Sequence, residues 1–268
     1  MERTIQKSIR VANSTWVSVD VYGEPNGAAV VIVPGVMSDA AEWAPVASAL
    51  QGWPTVAVVN RRGRTPSGPL TSDYSLEAET DDLIEVLQQF PNARTVFGWS
   101  YGGLIVLSTA NRIAIPHVIS YEPVIRPFAS HALAALEDAH VLQDWEKSVR
   151  IVTEQIAGMG TEDVDALLAA PDVRETLELL SQPVFAETAA LNAAPTPAEL
   201  ARRATRVDLI VGERNRGLPP YGTSLEDVCR LVKSAQVHGL NNHGHMAHLE
   251  APQELASLID GLGAHAAQ

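Results

Sequence analysis

The sequence predicts an α/β protein with a mostly parallel sheet, and three observations carry that prediction. Short runs that are apolar at nearly every position recur at Ala28–Val33, Thr55–Val59, Thr95–Trp99, His117–Tyr121, Val207–Val211 and Ala235–His238. Such runs suit strands covered on both faces, because neither face then reaches water. Amphipathic stretches separate them, and strand alternating with helix is the pattern of a parallel sheet flanked by helices. One long segment, from about Phe128 to Arg203, has Ala- and Leu-rich helical pattern and no convincing strand.

Taken in chain order, Met1 to Arg10 alternates charged and apolar residues without a continuous apolar core, so it does not read as a signal peptide. Ser14–Tyr22 alternates in period two from Val17 onward and reads as an antiparallel edge hairpin, closing at the turn-forming run Gly23-Glu24-Pro25-Asn26-Gly27. Leu83, Ile84, Val86, Leu87 and Phe90 mark the apolar stripe of a helix whose first turns hold Glu77, Glu79, Asp81 and Asp82, where negative charge suits the helix dipole. Gly102–Arg112 and Met246–Leu262 read as further helices. The strandless segment is punctuated by Pro171, Pro183, Pro195 and Pro197. It is far longer than the dozen or so residues that a crossover needs, which predicts a helical cap at 124–205 inserted into a core of 1–123 and 206–268.

Composition narrows the function. With 19 Lys and Arg against 32 Asp and Glu, the 268-residue chain carries a net charge of −13. Nucleic acid and anionic membranes both call for a surplus of basic residues, so neither is an expected partner. No stretch approaches the ~18 apolar residues of a membrane helix. Cys229 stands alone, which excludes an intrachain disulfide and a cysteine zinc cluster and favours the cytoplasm. Monomer and homodimer are both compatible with this composition.

Chemistry concentrates at Gly98-Trp99-Ser100-Tyr101-Gly102, a G-x-S-x-G pattern with a buried run before it and a helical run after it. A strand–serine–helix junction is a sharp turn that exposes the hydroxyl above the sheet, and the flanking glycines avoid collision in the tight backbone. The helix start behind Ser100 turns N–H groups and the positive dipole end toward a developing oxyanion.

On these residues the chain resembles the α/β-hydrolase fold family, over nearly its whole length, and three further segments carry the resemblance. Pro34-Gly35-Val36, with Trp43 beyond it, stands where the family has a His-Gly-x oxyanion loop, Pro34 replacing the histidine. Since that loop contributes a backbone N–H, the resemblance implies an oxyanion hole from the amides of Val36 and Tyr101. Asn60 to Ser67 looks like the Gly-containing loop after the next strand, and Gly244 to Pro252 is similar to the family's terminal Gly-His…Glu-x-Pro segment. The implied fold is an α/β-hydrolase fold with an inserted helical cap. The implied activity is that of a serine hydrolase of esterase or lactonase type, without metal or organic cofactor.

A serine needs a base within reach, and four histidines lie late in the chain: His238, His243, His245 and His248. His245, after the last strand and before the final helix, is in the family's position for the base. His248 reads as a packed helix residue, and His243 as a possible pocket residue. The acid departs from the common pattern. Most relatives place an Asp after the strand equivalent to Val207–Val211, where this chain has Gly212-Glu213-Arg214-Asn215, and an asparagine cannot offset the charge of an imidazolium. Glu122, at the carboxyl end of the His117–Tyr121 run, is the preferred candidate, because carboxyl ends of strands are where α/β sites form. Some branches of the family, including lactone hydrolases of the zearalenone-degrading type, carry a glutamate acid on this strand. Glu213 and Asp208 remain as other candidates, with the Asp208 side chain expected to face away from the pocket.

Val36, Met37, Tyr101, Val124, Trp145 and Met246 are the expected pocket walls, and their apolar character implies a small-molecule ester or lactone with a hydrophobic body. Trp145 has an equal claim as packing within the cap. Arg61, Arg62 and Arg64 are expected to fix a surface loop through salt bridges, with binding of a substrate carboxylate as the other reading. The same Ser–His machinery also serves C–C bond hydrolysis, amide hydrolysis and acyl transfer, and a non-catalytic ligand-binding member would keep the pocket. Haloalkane dehalogenases and epoxide hydrolases place a carboxylate at the Ser100 position, which argues against their chemistry here.

Overall fold

The computed structural model describes residues 1–12 and 14–264. Its strands are β1 (Arg3–Arg10), β2 (Trp16–Gly23), β3 (Ala29–Val33), β4 (Thr55–Asn60), β5 (Ala93–Trp99), β6 (Ile115–Tyr121), β7 (Ala204–Gly212) and β8 (Gln236–Leu240). Among the described residues they form one eight-stranded sheet in the order β1-β2-β4-β3-β5-β6-β7-β8. The pairs β1–β2 and β2–β4 are antiparallel and every later pair is parallel.

Every residue of β3 and β4 is buried, as the unbroken apolar runs require. The period-two geometry of a strand divides each run between two cores. Val31 and Val33 pack on one face with Leu83, Ile105 and Leu209, while Val30 and Ile32 pack on the other with Trp43, Phe97 and Ile259. Helices α1 (Ala44–Ala49), α2 (Leu76–Gln88) and α3 (Tyr101–Arg112) supply part of these layers. Ser75 caps α2 by accepting the Ala78 amide at 3.1 Å, and Glu77 and Glu79 occupy its first turn.

Between β6 and β7 the chain carries α4 (Leu133–Leu142), α5 (Trp145–Arg150), α6 (Thr161–Leu168), α7 (Pro171–Ser181) and α8 (Val184–Ala193). Pro171 opens α7 and Pro183 precedes α8, so these prolines start helices, where a missing N–H costs nothing. The inserted helices have small cores of their own, one of them around Leu136, Ile151 and Val184, and Val36 and Met37 from the loop after β3 pack against it. The chain closes with α9 (Tyr221–Leu231), α10 (Ala247–Glu250) and α11 (Pro252–Ala264).

Two elements differ from the sequence reading. The hairpin partner of β2 lies upstream in β1, and where the two strands meet the Val11 amide donates to the Thr15 carbonyl at 3.0 Å. Gly23 to Gly27 instead leads to β3, which lies two places from β2 in the sheet. β1 is an edge strand with only Ile9 buried, so its apolar signal is faint. The Met246–Leu262 helix is two helices. Pro252 has no amide hydrogen and disfavours helical backbone at the residue before it, and Ala251 accordingly sits at φ −147°, ψ 58°.

Candidate active site

Sheet register explains why the candidate residues lie at one edge of the sheet. Trp99 pairs with Tyr121 and Tyr121 with Ile210, while Gly212 pairs with Leu240. The residues just beyond these carboxyl ends (Ser100, Glu122 and the loop with His245) therefore converge on one edge of the sheet.

Ser100 has φ 56° and ψ −121°, a conformation that side chains rarely adopt. Its amide donates to the Tyr121 carbonyl at 2.9 Å, and its carbonyl accepts from Gly103 at 3.0 Å. The turn is tight enough that a Cβ on Gly98 would lie 2.4 Å from the Gly102 carbonyl oxygen, and one on Gly102 only 2.1 Å from that of Val33. Because both obstacles are backbone, Gly102→Ala is expected to destabilise the fold by about 2–3 kcal/mol or more, read as a lower urea midpoint. A wild-type midpoint would contradict this packing. Ser100 and His245 are each 7% exposed.

The His245 Nδ1 lies 2.7 Å from Oε2 of the fully buried Glu122. Glu122 is itself held at φ 41° with its amide on the Ile210 carbonyl at 2.9 Å. Its Oε1 accepts from the Gly212 amide at 2.8 Å, and Asn215 Nδ2 reaches Oε1 at 3.1 Å and Oε2 at 2.9 Å. Three donors thus converge on two carboxylate oxygens. Asn215, at the position where an aspartate is usual, serves as a donor to the glutamate instead. With Nδ1 committed to Glu122, Nε2 is the nitrogen left to accept a proton. The His245 loop is anchored by Trp99 Nε1 donating to the His245 carbonyl at 2.8 Å and by the Tyr121 hydroxyl donating to the Gly244 carbonyl.

Tyr221 escaped the sequence reading. Its ring stacks on the His245 imidazole at 3.5 Å and 9°, opposite no motif that sequence could flag beyond Pro219-Pro220 at the start of α9. The Tyr101 amide follows Ser100 directly in the chain, and that of Val36 follows Gly35, which packs against Ser100. Among the described residues neither donates to another backbone group, and Tyr101 is the first residue of α3, whose N–H has no acceptor within the helix. A Cβ on Gly35 would come 2.9 Å from that of Ser100, so only glycine lets this loop approach so closely.

Of the expected pocket walls, Val124 is buried with its amide 3.4 Å from the Ser100 carbonyl, and Met246, 39% exposed, precedes α10. Met37 packs on the inserted helices at φ 56°. The contacts of Trp145 lie inside those helices: its ring is 5.8 Å from that of His140, and its carbonyl is 3.3 Å from the Ser181 hydroxyl. The other histidines are occupied elsewhere. His248 is buried, stacked on Trp43 at 4.7 Å and 4°, and burial, with His245 nearby, pushes its pKa down to about 3, so it is neutral. His243 pairs with Glu254 at 3.1 Å.

The other acid candidates are also engaged. Glu213 forms an ion pair with Arg216 at 2.6 Å. Asp208 is buried on the sheet between His117 at 2.7 Å and His238 at 2.8 Å, with Arg206 at 2.7 Å. Burial opposes its charge, but the hydrogen bonds from His117, His238 and Arg206 outweigh burial and hold its pKa at about 2, below the ordinary 3.8. A depressed carboxylate contributes stability above its unfolded pKa and loses it as pH falls toward the folded value. Asp208→Asn is therefore expected to destabilise the protein at pH 7, with the gap from wild type narrowing between pH 4 and pH 2. Urea titrations across that range would refute this if the gap were constant.

The arginines correct an expectation. Arg61, Arg62 and Arg64 were expected on a surface loop, but they are 2%, 0% and 3% exposed. Arg62 is bidentate to Asp82 at 2.6 and 2.6 Å, and Arg64 to Glu187 at 2.6 and 2.9 Å. With these carboxylates in place they do not offer a free site for a substrate carboxylate, because a buried cation is retained only when paired.

Comparison with known proteins agrees with this architecture. The solved structure of an alpha/beta hydrolase from Sphaerobacter thermophilus superposes with a TM-score of 0.78 at 22% identity, over 95% of this chain and 99% of that one. An enol-lactonase from Burkholderia xenovorans gives 0.75 at 20% identity over 96% and 99%. The esterase EaEST from Exiguobacterium antarcticum gives 0.74 at 16% identity over 96% and 99%. At these identities the likeness is one of fold. No curated protein sequence matches this one. The sequence model described as the alpha/beta hydrolase family matches residues 30–258, most of the chain, and with the sheet order and the serine turn this makes the protein a member of that family.

Proposed function

We propose that the protein hydrolyses a carboxylic ester or lactone of a hydrophobic small molecule through an acyl-enzyme on Ser100. The observation that carries this reading is the 2.7 Å contact between His245 Nδ1 and the buried Glu122 carboxylate, at the edge of the sheet where Ser100 turns. In this mechanism His245 Nε2 takes the Ser100 proton as the hydroxyl oxygen attacks the carbonyl carbon. Glu122 holds the ring in the required tautomer and offsets the imidazolium charge. The Val36 and Tyr101 amides bind the oxygen as it becomes negative. The imidazolium then protonates the leaving alkoxide, the tetrahedral centre collapses to the acyl-enzyme, and water deprotonated by His245 releases the acid. The chemistry uses no cofactor.

Val36, Met37, Val124 and Met246 give the substrate side an apolar lining, and the helices of 124–205 act as a lid over it. An enol-lactonase and an esterase are among the proteins that share this fold, and ester or lactone turnover is the chemistry proposed here. The unpaired Cys229 fits a cytoplasmic enzyme. Among the described residues no helix is long and apolar enough to cross a membrane. The test is a fluorogenic panel of esters and lactones, run with amide and β-diketone substrates on wild type and Ser100→Ala in parallel. Turnover of esters or lactones that is lost in the variant supports the reading. Turnover confined to amides or β-diketones would overturn it.

A further inference from the structure

Arg61 is the buried cation nearest the oxyanion loop, and each part of its guanidinium is used. Nε donates to the Pro34 carbonyl at 2.9 Å and Nη2 to the Gly35 carbonyl at 2.7 Å. Nη1 binds Glu79 Oε1 at 2.6 Å, and Nη2 also lies 2.6 Å from Glu187 Oε1. Glu187 belongs to α8 in the inserted helices, is fully buried, and also takes Arg64 in a bidentate pair. Burial works against charge on Glu187, and Arg61 and Arg64 overcome it, holding its carboxyl below the ordinary glutamate value.

Peptide geometry turns this anchorage into a statement about the site. The Gly35 carbonyl and the Val36 N–H belong to one planar trans peptide and point in opposite directions. Fixing the carbonyl against Arg61 therefore fixes the direction in which the Val36 N–H points, away from the guanidinium. The same glycine abuts Ser100. Arg61 in turn can keep this orientation only while its own charge is balanced, because an uncompensated buried ion relaxes or draws in water. Arg61 and Arg64 face Glu79 and Glu187, so loss of one carboxylate leaves two cations against one anion.

We propose that Glu187 is a positioning residue for the reaction, acting through Arg61 on the Gly35–Val36 peptide, so that seating of the inserted helices is coupled to the oxyanion hole. This rests on the acyl-transfer reading above. Glu187 touches no reacting atom, and its effect is on the aim of a donor that works in the transition state more than in substrate binding.

The experiment measures kcat, KM and inhibition by phenylboronic acid, whose tetrahedral serine adduct places an oxygen in the oxyanion hole, for wild type and Glu187→Gln. The expected result is a fall in kcat of about tenfold to a hundredfold with KM within about twofold, and a parallel weakening of boronate inhibition. Should Glu187→Gln fail to fold, Glu187→Asp, which keeps the charge but draws the carboxylate back from Arg61 by one methylene, is measured instead, with a fall in kcat of about tenfold, KM within about twofold and weaker boronate inhibition expected. A folded variant with a lower melting temperature but unchanged kcat and boronate affinity would make Glu187 purely structural and overturn the proposal. Wild type that neither turns over esters or lactones nor is labelled by a fluorophosphonate would instead sink the acyl-transfer reading, and this inference with it.

Discussion

Glu122→Gln is expected to lower kcat by about two to four orders of magnitude while KM changes little. The side chain keeps its length, so binding surfaces stay as they are. What changes is the pattern of donors and acceptors. The Gly212 amide, Asn215 Nδ2 and His245 Nδ1 all donate toward the two carboxylate oxygens. A glutamine has one oxygen and one NH2 to meet them, so its NH2 must face a donor. If it faces His245, Nδ1 becomes the acceptor, the proton moves to Nε2, and the nitrogen meant to take the serine proton is blocked. If it faces Gly212, that buried amide loses its acceptor while Asn215 keeps the remaining oxygen, and the loop after β7 shifts. In either arrangement the negative charge that offsets the imidazolium is gone. Glu213→Gln is the control: its partner is Arg216, and kcat should stay within about twofold of wild type. Steady-state kinetics on the best ester decide. Near-full activity in Glu122→Gln beside strong loss in Glu213→Gln would reverse the assignment of the acid.

Ser100→Ala should abolish turnover more completely, by about five to six orders of magnitude in kcat, because no second group can accept the acyl chain. The backbone at this position is the reason alanine is the right probe. At φ 56° and ψ −121° any side chain is strained, and alanine adds no atom beyond the Cβ that serine already places beside Gly35. The variant should therefore fold with a urea midpoint close to wild type and still bind substrate. Residual activity above a thousandth of wild type would mean that the nucleophile lies elsewhere or that water attacks directly.

How far the sequence alone reaches depends on the range of the physical signal. Strands such as β3 and β4 are buried at every position and apolar at nearly all of them because helices cover both faces, and that is visible in a five- or six-residue window. The serine turn is equally local, since Gly98 and Gly102 are demanded by backbone atoms within the turn and the neighbouring strand. Glu122 could be found by its place at a strand end. The remaining features depend on partners far away. β1 buries only Ile9, and an edge strand leaves little pattern to read. The burial of Arg64 is decided by Glu187, 123 residues later, so three arginines within four residues look solvated until the chain folds. Tyr221 against His245 is likewise a meeting of a helix start with a distant loop, and nothing in the local composition around it announces an aromatic ring on the imidazole. Asn215 illustrates the converse case: its departure from aspartate is legible, while its role as a donor to Glu122 becomes clear only once β6 and β7 lie side by side.

The most direct test of acyl transfer on Ser100 is intact-protein mass spectrometry after brief exposure to a fluorophosphonate, with peptide mapping of any adduct. Wild type should gain the mass of one phosphonyl group, mapped to the peptide containing Ser100, while Ser100→Ala gains none and Glu122→Gln gains it far more slowly. An unmodified wild-type mass under conditions that label a control serine esterase, or an adduct mapped to another residue, would contradict it.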